Sequence, residues 1–355
     1  MDADQLTERL FGSTLGALDV FSIHLGDRLG LYAALREHGP LTAAGLAERA
    51  GIAPRYAREW LEQQTVAGFL EVEDAAVAAE DRRFVLPAEH VGALADRDSI
   101  DHFVPFIRVV ATAASRADAL VEAYRTGGGV PWEAFGPNMR TGQAEGNKPA
   151  YLRQLAQEWL PAVPGLVETL DAGARVADVG CGEGWSSIAM ALGFPAITVD
   201  GIDIDAASVE AAAGHAAAAG VGDRVTFRLA DAGATATDGT YDLVTAFECI
   251  HDLPDPVAVL RSMRGLVRPG GVVMVMDERV PETYTGRPED PVEQLMYGFS
   301  IAVCLPDSMS TSPSRATGTV MRPSVLRGYA VEAGFADAEV LPIEHDLWRF
   351  YRLVG

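Results

Sequence analysis

Apolar and polar positions keep two different rhythms along the 355-residue chain. From Ala174 onward short apolar runs alternate with helical stretches. RVADVG, ITVDGID, RVTFRLA, YDLVTAF and GGVVMVMD read as strands; the segment after Gly184, Ala206 to Ala219, and PVAVLRSMRGLV read as helices. Strands that are apolar through most of their length belong to a parallel sheet covered on both faces, and the intervening helices supply that cover. The pattern therefore predicts a doubly wound α/β sheet, with Gly270 and Gly271 at the turn into its fifth strand. Ligands of such sheets bind at the carboxyl ends of the strands.

The preceding part of the chain has a helical rhythm. In LTAAGLAERAG, Thr42 caps a short helix that Gly51 ends; in IAPRYAREWLEQQTVAGFLEVED, Pro54 opens a second helix that Gly68 ends. FLEVED and RRFVLP then predict two short strands around a turn, which completes a winged-helix unit. Residues 5–38 carry apolar groups on more than one helical face, including Leu18, Phe21, Leu25, Leu29 and Leu35. A helix of that kind needs cover from a partner subunit or from the rest of the chain. Residues 100–165 read as further helices, broken by GGGVP and by FGPNMRTGQAEGNKP, the latter an approach to an active site. The expected organisation is a helical winged-helix dimerisation domain over 1–99, a connector over 100–165, and an α/β domain over 166–355.

Composition narrows the partners. The formal net charge is −22, and residues 41–90 hold five arginines and no lysine against nine acidic residues. Nucleic acid is held by clustered basic side chains, so this winged helix is expected to serve dimerisation or pocket building and not DNA. The start of the chain, MDADQLTERL, has no apolar leader core, and no segment reaches the roughly 18 uninterrupted apolar residues of a membrane span. Cys181, Cys249 and Cys304 lie far apart in neither metal-site nor disulfide spacing. A cytoplasmic chain without nucleic-acid or membrane partners is the expectation.

Chemistry concentrates in VADVGCGEG, residues 176–184, where glycine recurs at 180, 182 and 184. The turn falls between the first strand and its helix. A dinucleotide fingerprint spaces its glycines G-x-G-x-x-G and rests pyrophosphate on the helix terminus. Here the spacing is G-x-G-x-G and Glu183 stands inside it, which opposes a pyrophosphate and tolerates a cation. Asp203 ends the second strand, placed to accept two ribose hydroxyls, and Asp231 follows the third, placed for an adenine amino group.

These segments resemble a class I S-adenosylmethionine-dependent methyltransferase over roughly residues 170–280: VADVGCGEG its first motif, GIDI its ribose motif, LADA its adenine motif, YDLVTAFECIHDLPDP its fourth-strand motif, and RPGG the entry to the fifth strand. The resemblance implies a Rossmann-like sheet closed by an antiparallel hairpin, for which EVLPI and LWRFYRL are the candidate strands. It further implies S-adenosyl-L-methionine as donor, with Asp178, Gly180, Cys181, Gly182 and Gly184 at the turn. Asp203 would hold ribose, Ile204 adenine, Asp231 with Ala232 the amino group, and Phe247 and Glu248 would line the same site. The whole chain is similar to the two-domain small-molecule methyltransferases, mostly O-methyltransferases, through GLYAAL, LTAAGLAERAG and RYAREWLEQQTVAGFLE. That likeness implies a homodimer and a small aromatic or polyketide-like acceptor.

A phenol with pKa near ~10 is a poor nucleophile at neutral pH, so transfer to a hydroxyl profits from a base. His251 in ECIHDL is the candidate, with Asp277 at the end of the fifth strand to orient it; packing or capping is the competing role. A third carboxylate of the plant-type enzymes is not matched, since Val320 or Met321 stands there. DGIDID and HDLPD offer oxygen ligands, but Asp203 is assigned to ribose and Asp205 to a helix cap, so no metal is expected. Residues 281–320 form a long insertion containing the apolar helix PVEQLMYGFSIAVCL, expected to cover the acceptor. Met296, Tyr297, Phe299 and Ser300, with Phe21, His24 and Tyr151, are the candidate acceptor-lining residues. Two competing readings remain: methyl transfer to nitrogen or carbon or another reaction of the same donor, and a nucleoside-sensing regulator that binds DNA.

Overall fold

The structure is a computed structural model and describes residues 1–235, 238–287 and 290–355. It divides into two compact units, Met1–Thr112 and Ala113–Gly355. Within residues 100–165, the boundary falls inside the helix Val104–Ala114, so 100–112 belong to the first unit and 113–165 to the second.

The first unit opens on a 26-residue helix, Ala3–Arg28, started by a capping box in which Asp2 accepts from the Gln5 N–H and the Gln5 side chain accepts from Asp2. Helices Leu31–His38, Ala43–Ala50 and Pro54–Val66 follow. Thr42 accepts from the Gly45 N–H, Gly51 closes its helix at φ 66°, and Pro54 sits in the first turn of the next, as the sequence implies. That helix is capped at Ala67, one residue before Gly68. The wing is smaller than expected: β1 (Glu71–Val72) and β2 (Phe84–Val85) pair over two residues each, and the connection between them is mostly exposed, an AAVAA run flanked by charged residues. Leu31, Leu35, Leu46, Leu61 and Phe84 are buried together in this core. Leu10, Phe11, Leu18, Phe21 and Leu25 of the first helix remain exposed.

The second unit holds a seven-stranded sheet of β3 (Arg175–Val179), β4 (Thr198–Asp203), β5 (Val225–Leu229), β6 (Tyr241–Phe247), β7 (Val267–Glu278), β8 (Asp337–Val340) and β9 (Trp348–Val354). Its order is β5-β4-β3-β6-β7-β9-β8. The first five run parallel, and β9 is antiparallel to both neighbours. Buried residues pack on both faces, Ile188, Met190, Met274 and Phe350 on one and Val244, Leu260, Val275 and Leu326 on the other. The chain leaves β3 toward β4 on one side and reaches β6 on the other, which makes the carboxyl end of β3 the switch point. Strand β7 starts before the glycine pair, and β8 stops before Leu341 and Pro342, shorter than EVLPI suggests, since proline has no N–H for a ladder.

One expectation needs correcting. FGPNMRTGQAEGNKP is not a break: Pro137–Ala150 is a helix with Pro137 in its first turn, and it continues as a π-helix over Tyr151–Trp159. Pro149 inside it removes one N–H, and the widened turn that follows accommodates the displaced bond. The insertion helix runs Pro291–Phe299 and also passes into a π segment, Ser300–Cys304.

Close packing fixes some glycines and leaves others free. A Cβ at Gly201 in β4 would meet Phe227 at 2.5 Å and Cys181 Sγ at 2.9 Å, whereas one at Gly214, on an exposed helical face, would meet nothing within 4 Å. Gly201→Ala should cost about 1–3 kcal/mol through overpacking, and Gly214→Ala should stabilise by about 1 kcal/mol through helix propensity. Denaturant titration of the two variants checks the opposite signs.

Candidate active site

The carboxyl ends of β3, β4 and β6 meet at the glycine turn. Beneath it Asp178 is 1% exposed and accepts hydroxyl hydrogen bonds from Ser186 (2.6 Å), Ser187 (2.6 Å) and Thr245 (2.7 Å). Burial pushes its carboxyl up, and those hydroxyls oppose the shift. The carboxylate expected to face a ligand is thus consumed in shaping the turn.

The three glycines divide their work. A Cβ at Gly180 would strike Cys249 at 2.6 Å, and one at Gly184 would strike Phe227 at 2.6 Å and Ala212 at 2.9 Å; both serve packing. Gly182, at φ 51°, faces open space and is the position that gives a ligand close access to backbone. Cys181 is buried, and burial drives its thiol well above its ordinary value, which leaves it unreactive.

Asp203 lies beside the turn. Its Oδ2 accepts from the Gly182 N–H (2.8 Å) and its Oδ1 from the Asp205 N–H (2.9 Å). Next to it Ile204 is 74% exposed, and Leu229 at the end of β5 is 58% exposed. Two bare aliphatic side chains flanking a carboxylate suit a flat aromatic ring joined to a diol. Asp231 caps a short 3₁₀ turn containing Ala232 by accepting from the Gly233 N–H, and stays exposed near that rim.

The helix Pro137–Ala150 connects both sides of the turn. Arg140 donates two hydrogen bonds to Asp205, at 2.6 and 2.7 Å; although burial opposes it, this pairing holds the Asp205 carboxyl below its usual range. Farther along, Asn147 Nδ2 donates to Glu248 Oε2, Gln143 donates to the same oxygen (3.4 Å), and Trp348 Nε1 donates to Glu248 Oε1 (2.6 Å). Glu248 has φ 54°, a left-handed backbone that non-glycine residues rarely adopt outside functional sites. Phe247 is buried beneath it in the core, its ring 6.0 Å from that of Tyr151, so it packs instead of presenting a face to a ligand. Tyr151 is itself buried and stacks on Trp348.

On the other side of the β6 and β7 ends, His251 is 3% exposed. Its Nδ1 lies 2.9 Å from Asp277 Oδ1, and its Nε2 lies 3.2 Å from Asp252. Burial alone would lower its pKa, but Asp252 and Asp277 outweigh burial and hold the ring well above its ordinary value. Cys304 also lies near, and burial pushes its thiol to about 12. His251, Asp252 and Cys304 bring one ligand atom each within 4.8 Å of one another, and the ring is engaged by Asp252 and Asp277.

The insertion helix turns Met296 and Ser300 inward and leaves Tyr297 exposed, where its hydroxyl accepts from Arg322 (3.2 Å); Phe299 is partly buried. Ser300 lies against Gly318, whose N–H donates to the His251 carbonyl (3.1 Å). Phe21 and His24 lie on the first helix of the other unit, Phe21 exposed and His24 partly buried. Sequence reasoning missed Arg140, Asn147, Glu278 and Trp348. Trp348 and Glu278 sit opposite each other in a ladder visible only once β7 and β9 pair.

Residues 170–302 match the family described as methyltransferase domain, and residues 17–96 match the Rv2258c-like winged HTH domain. A ubiquinone biosynthesis O-methyltransferase of Ralstonia nicotianae is 30% identical over 198 residues, covering 55% of this chain and 74% of that protein. The mitomycin 7-O-methyltransferase MmcR has the same fold, with a TM-score of 0.73 at 20% identity over 99% of this chain and 98% of that one. An O-methyltransferase from neocarzinostatin biosynthesis, crystallised with S-adenosylmethionine and 2-hydroxy-5-methyl naphthoic acid, gives 0.62 at 18% identity over 95% and 96%. The chain belongs to the S-adenosylmethionine-dependent O-methyltransferase family and carries a winged-helix amino-terminal domain. Among the described residues, no helix is long and apolar enough to cross a membrane.

The raised His251 pKa has a testable sign. Stability from the His251–Asp277 pair is fully present below the unfolded value of about 6.5 and is lost as pH rises through the higher folded value. An NMR titration of the ring should give a midpoint above the ordinary value of about 6.5, and Asp277→Asn should move it down. A wild-type midpoint at or below 6.5 would contradict the ion pair.

Proposed function

We propose that this methyltransferase acts on a hydroxyl of a small, largely apolar aromatic or polyketide-like molecule, with His251 receiving the proton. The observation that carries the reading is the buried His251–Asp277 hydrogen bond at the carboxyl edge of β6 and β7, beside the glycine turn. The family's donor, when bound, supplies a sulfonium methyl already activated for transfer. What remains for the chain is to hold both partners in line and exclude water. Gly182 and Asp203 would hold the ribose and amino-acid portions, and Ile204 and Leu229 the adenine. The bare rim and open glycine fit such a nucleoside.

Asp277 holds the imidazole through Nδ1, which leaves Nε2, 3.2 Å from Asp252, as the nitrogen that Asp252 must yield to the acceptor hydroxyl. A ring held protonated by two carboxylates accepts a proton only after losing its own, so turnover should climb with pH beyond neutrality. The insertion helix, through Met296 and Ser300, would close the acceptor side. The acceptor of the neocarzinostatin enzyme, a hydroxynaphthoic acid, is the kind of molecule this reading calls for.

We also assign homodimer formation to the first helix, whose exposed Leu10, Phe11, Leu18, Phe21 and Leu25 would be covered by a second copy. A monomer in sedimentation at micromolar concentration would refute this.

Two measurements test the enzyme reading. Asp203→Ala should weaken S-adenosylhomocysteine binding by roughly 1.5–3 kcal/mol in calorimetry, the loss of hydrogen bonds to a charged group. Unchanged affinity would sink the donor-site assignment. With a phenolic acceptor found by transfer of labelled methyl, His251→Ala should slow turnover by roughly 10²–10⁴-fold with nucleoside affinity intact. Recovery above the phenol's pKa would mark lost base chemistry; full turnover at neutral pH would point to nitrogen, carbon or a pre-ionised oxygen.

A further inference from the structure

Glu248 and Glu278 form a second buried acid pair that proton removal by His251 does not use. Asp277 and Glu278 are consecutive at the end of β7, and consecutive side chains on a strand point to opposite faces. Asp277 reaches His251, whereas Glu278 stands opposite Trp348 in the β7–β9 ladder, and the Trp348 indole donates to Glu248, so the two glutamates meet around one indole and each carboxyl feels the charge of the other. Both oxygens of Glu248 are supplied by Asn147, Gln143 and Trp348. Glu278 is 7% exposed, and its Oε2 receives no hydrogen bond from a nitrogen or hydroxyl among the described residues. Asn147 Oδ1, on a side chain 5% exposed, is likewise without a partner. Two carboxylates this close cannot both ionise cheaply. One proton shared between them, carried by Glu278, satisfies the donor count, and burial pushes both carboxyls up.

The pair adjoins the donor site. Strand β6 pairs with β3 through Ala246 and Val179, and Cys249, next to Glu248, packs on Gly180. Helix Pro137–Ala150 is fastened to Asp205 on one side of the turn and to Glu248 on the other. The charged groups facing the pair are His251 and Asp277 from the β6 and β7 ends; Trp348, Asn147, Gln143 and the buried Tyr151 hydroxyl are neutral.

We propose that Glu248–Glu278 selects the charged, methyl-bearing donor over its spent product by releasing the shared proton when a sulfonium binds and recovering one when only the neutral thioether remains. The inference rests on the donor-site reading above. The balance closes. On binding, the pair passes from one negative charge to two and frees a proton to solvent. In transfer, the acceptor's O–H bond breaks, a C–O bond forms from the oxygen lone pair, and the C–S electrons stay on sulfur. The acceptor's proton passes to His251 and from there to solvent, and the pair takes one proton back from solvent once the thioether is left, so one proton in all is liberated per turnover. Product is then held by a pair carrying one charge fewer and leaves more readily.

Calorimetry in two buffers of different ionisation enthalpy, with S-adenosylmethionine and S-adenosylhomocysteine as probes, tests this without any acceptor. Both probes carry the same ribose and adenine, so Asp203 contributes equally to each. S-adenosylmethionine should release about one proton per site more than S-adenosylhomocysteine near pH 7.5. Glu278→Gln, which keeps a donor toward Glu248 but has no proton to lose, should abolish that difference. It should also lower the ratio of the two affinities roughly tenfold, one pKa unit of coupling. Glu278→Asp should retain part of the release. Equal proton counts for the two probes in the wild type overturn the proposal, as does a folded Gln variant that keeps the difference. If Glu278→Gln does not fold, the wild-type comparison decides alone. Failure of either probe to bind would instead refute the donor-site reading.

Discussion

The site depends on one buried carboxylate. Asp178 stands in the middle strand of a parallel sheet, where an unpartnered charge would cost several kcal/mol, and it is made tolerable by three hydroxyls drawn from two other elements. Ser186 and Ser187 come from the first turn of the helix after the glycines, and Thr245 comes from β6. The same bonds that satisfy the charge fix where that helix starts relative to both strands. Gly182 is left bare because the chain between Asp178 and Ser186 has no freedom to close over it. Asp203 then takes its orientation from the Gly182 N–H, so the aim of this carboxylate is set by the turn and not only by its own strand.

The strand and helix rhythm beyond Ala174 was legible because the central strands β3, β6 and β7 are buried on both faces and each helix starts at a glycine, aspartate or proline. The ends of those strands were legible for the same reason, which is why Asp203, Asp231, His251 and Asp277 could be placed along the rim from sequence. The functions of individual glycines were not legible. G-x-G-x-G looks like three equivalent approaches to a ligand, yet two are occupied by Cys249, Phe227 and Ala212, neighbours contributed by distant segments. Asp178 was misjudged for a similar cause: a motif carries a residue's position but not the partners that consume its hydrogen bonds.

The segment before the sheet was harder still. Two prolines and three glycines within FGPNMRTGQAEGNKP argue locally for a loop, but Pro137 stands where a helix tolerates it and Pro149 is absorbed by a wider turn. Tertiary contacts pin the helix through Arg140 and Asn147, whose partners Asp205 and Glu248 lie 65 and 101 residues farther along the chain. The acid pair at Glu248 escaped for the complementary reason. Glutamates about 100 Å of extended chain apart carry no sign that strand pairing will set them side by side, since thirty residues at about 3.3 Å each separate such positions.

The π turn after Pro149 has a consequence for how far one helix can reach. Asn147, Tyr151, Leu155 and Trp159 recur every four residues and are all buried. In a regular α-helix, a step of four residues overshoots a full turn by about 40°, so three such steps would carry the last side chain about 120° around the axis from the first. A turn widened to bonds between residues five apart removes much of that drift. The four side chains therefore form a nearly straight file, with an amide at the acid pair at one end and an indole in the sheet's core at the other. Lengthening or shortening this segment by a single residue would throw the file out of phase, so its screw pitch is as much a part of the site as the side chains it carries.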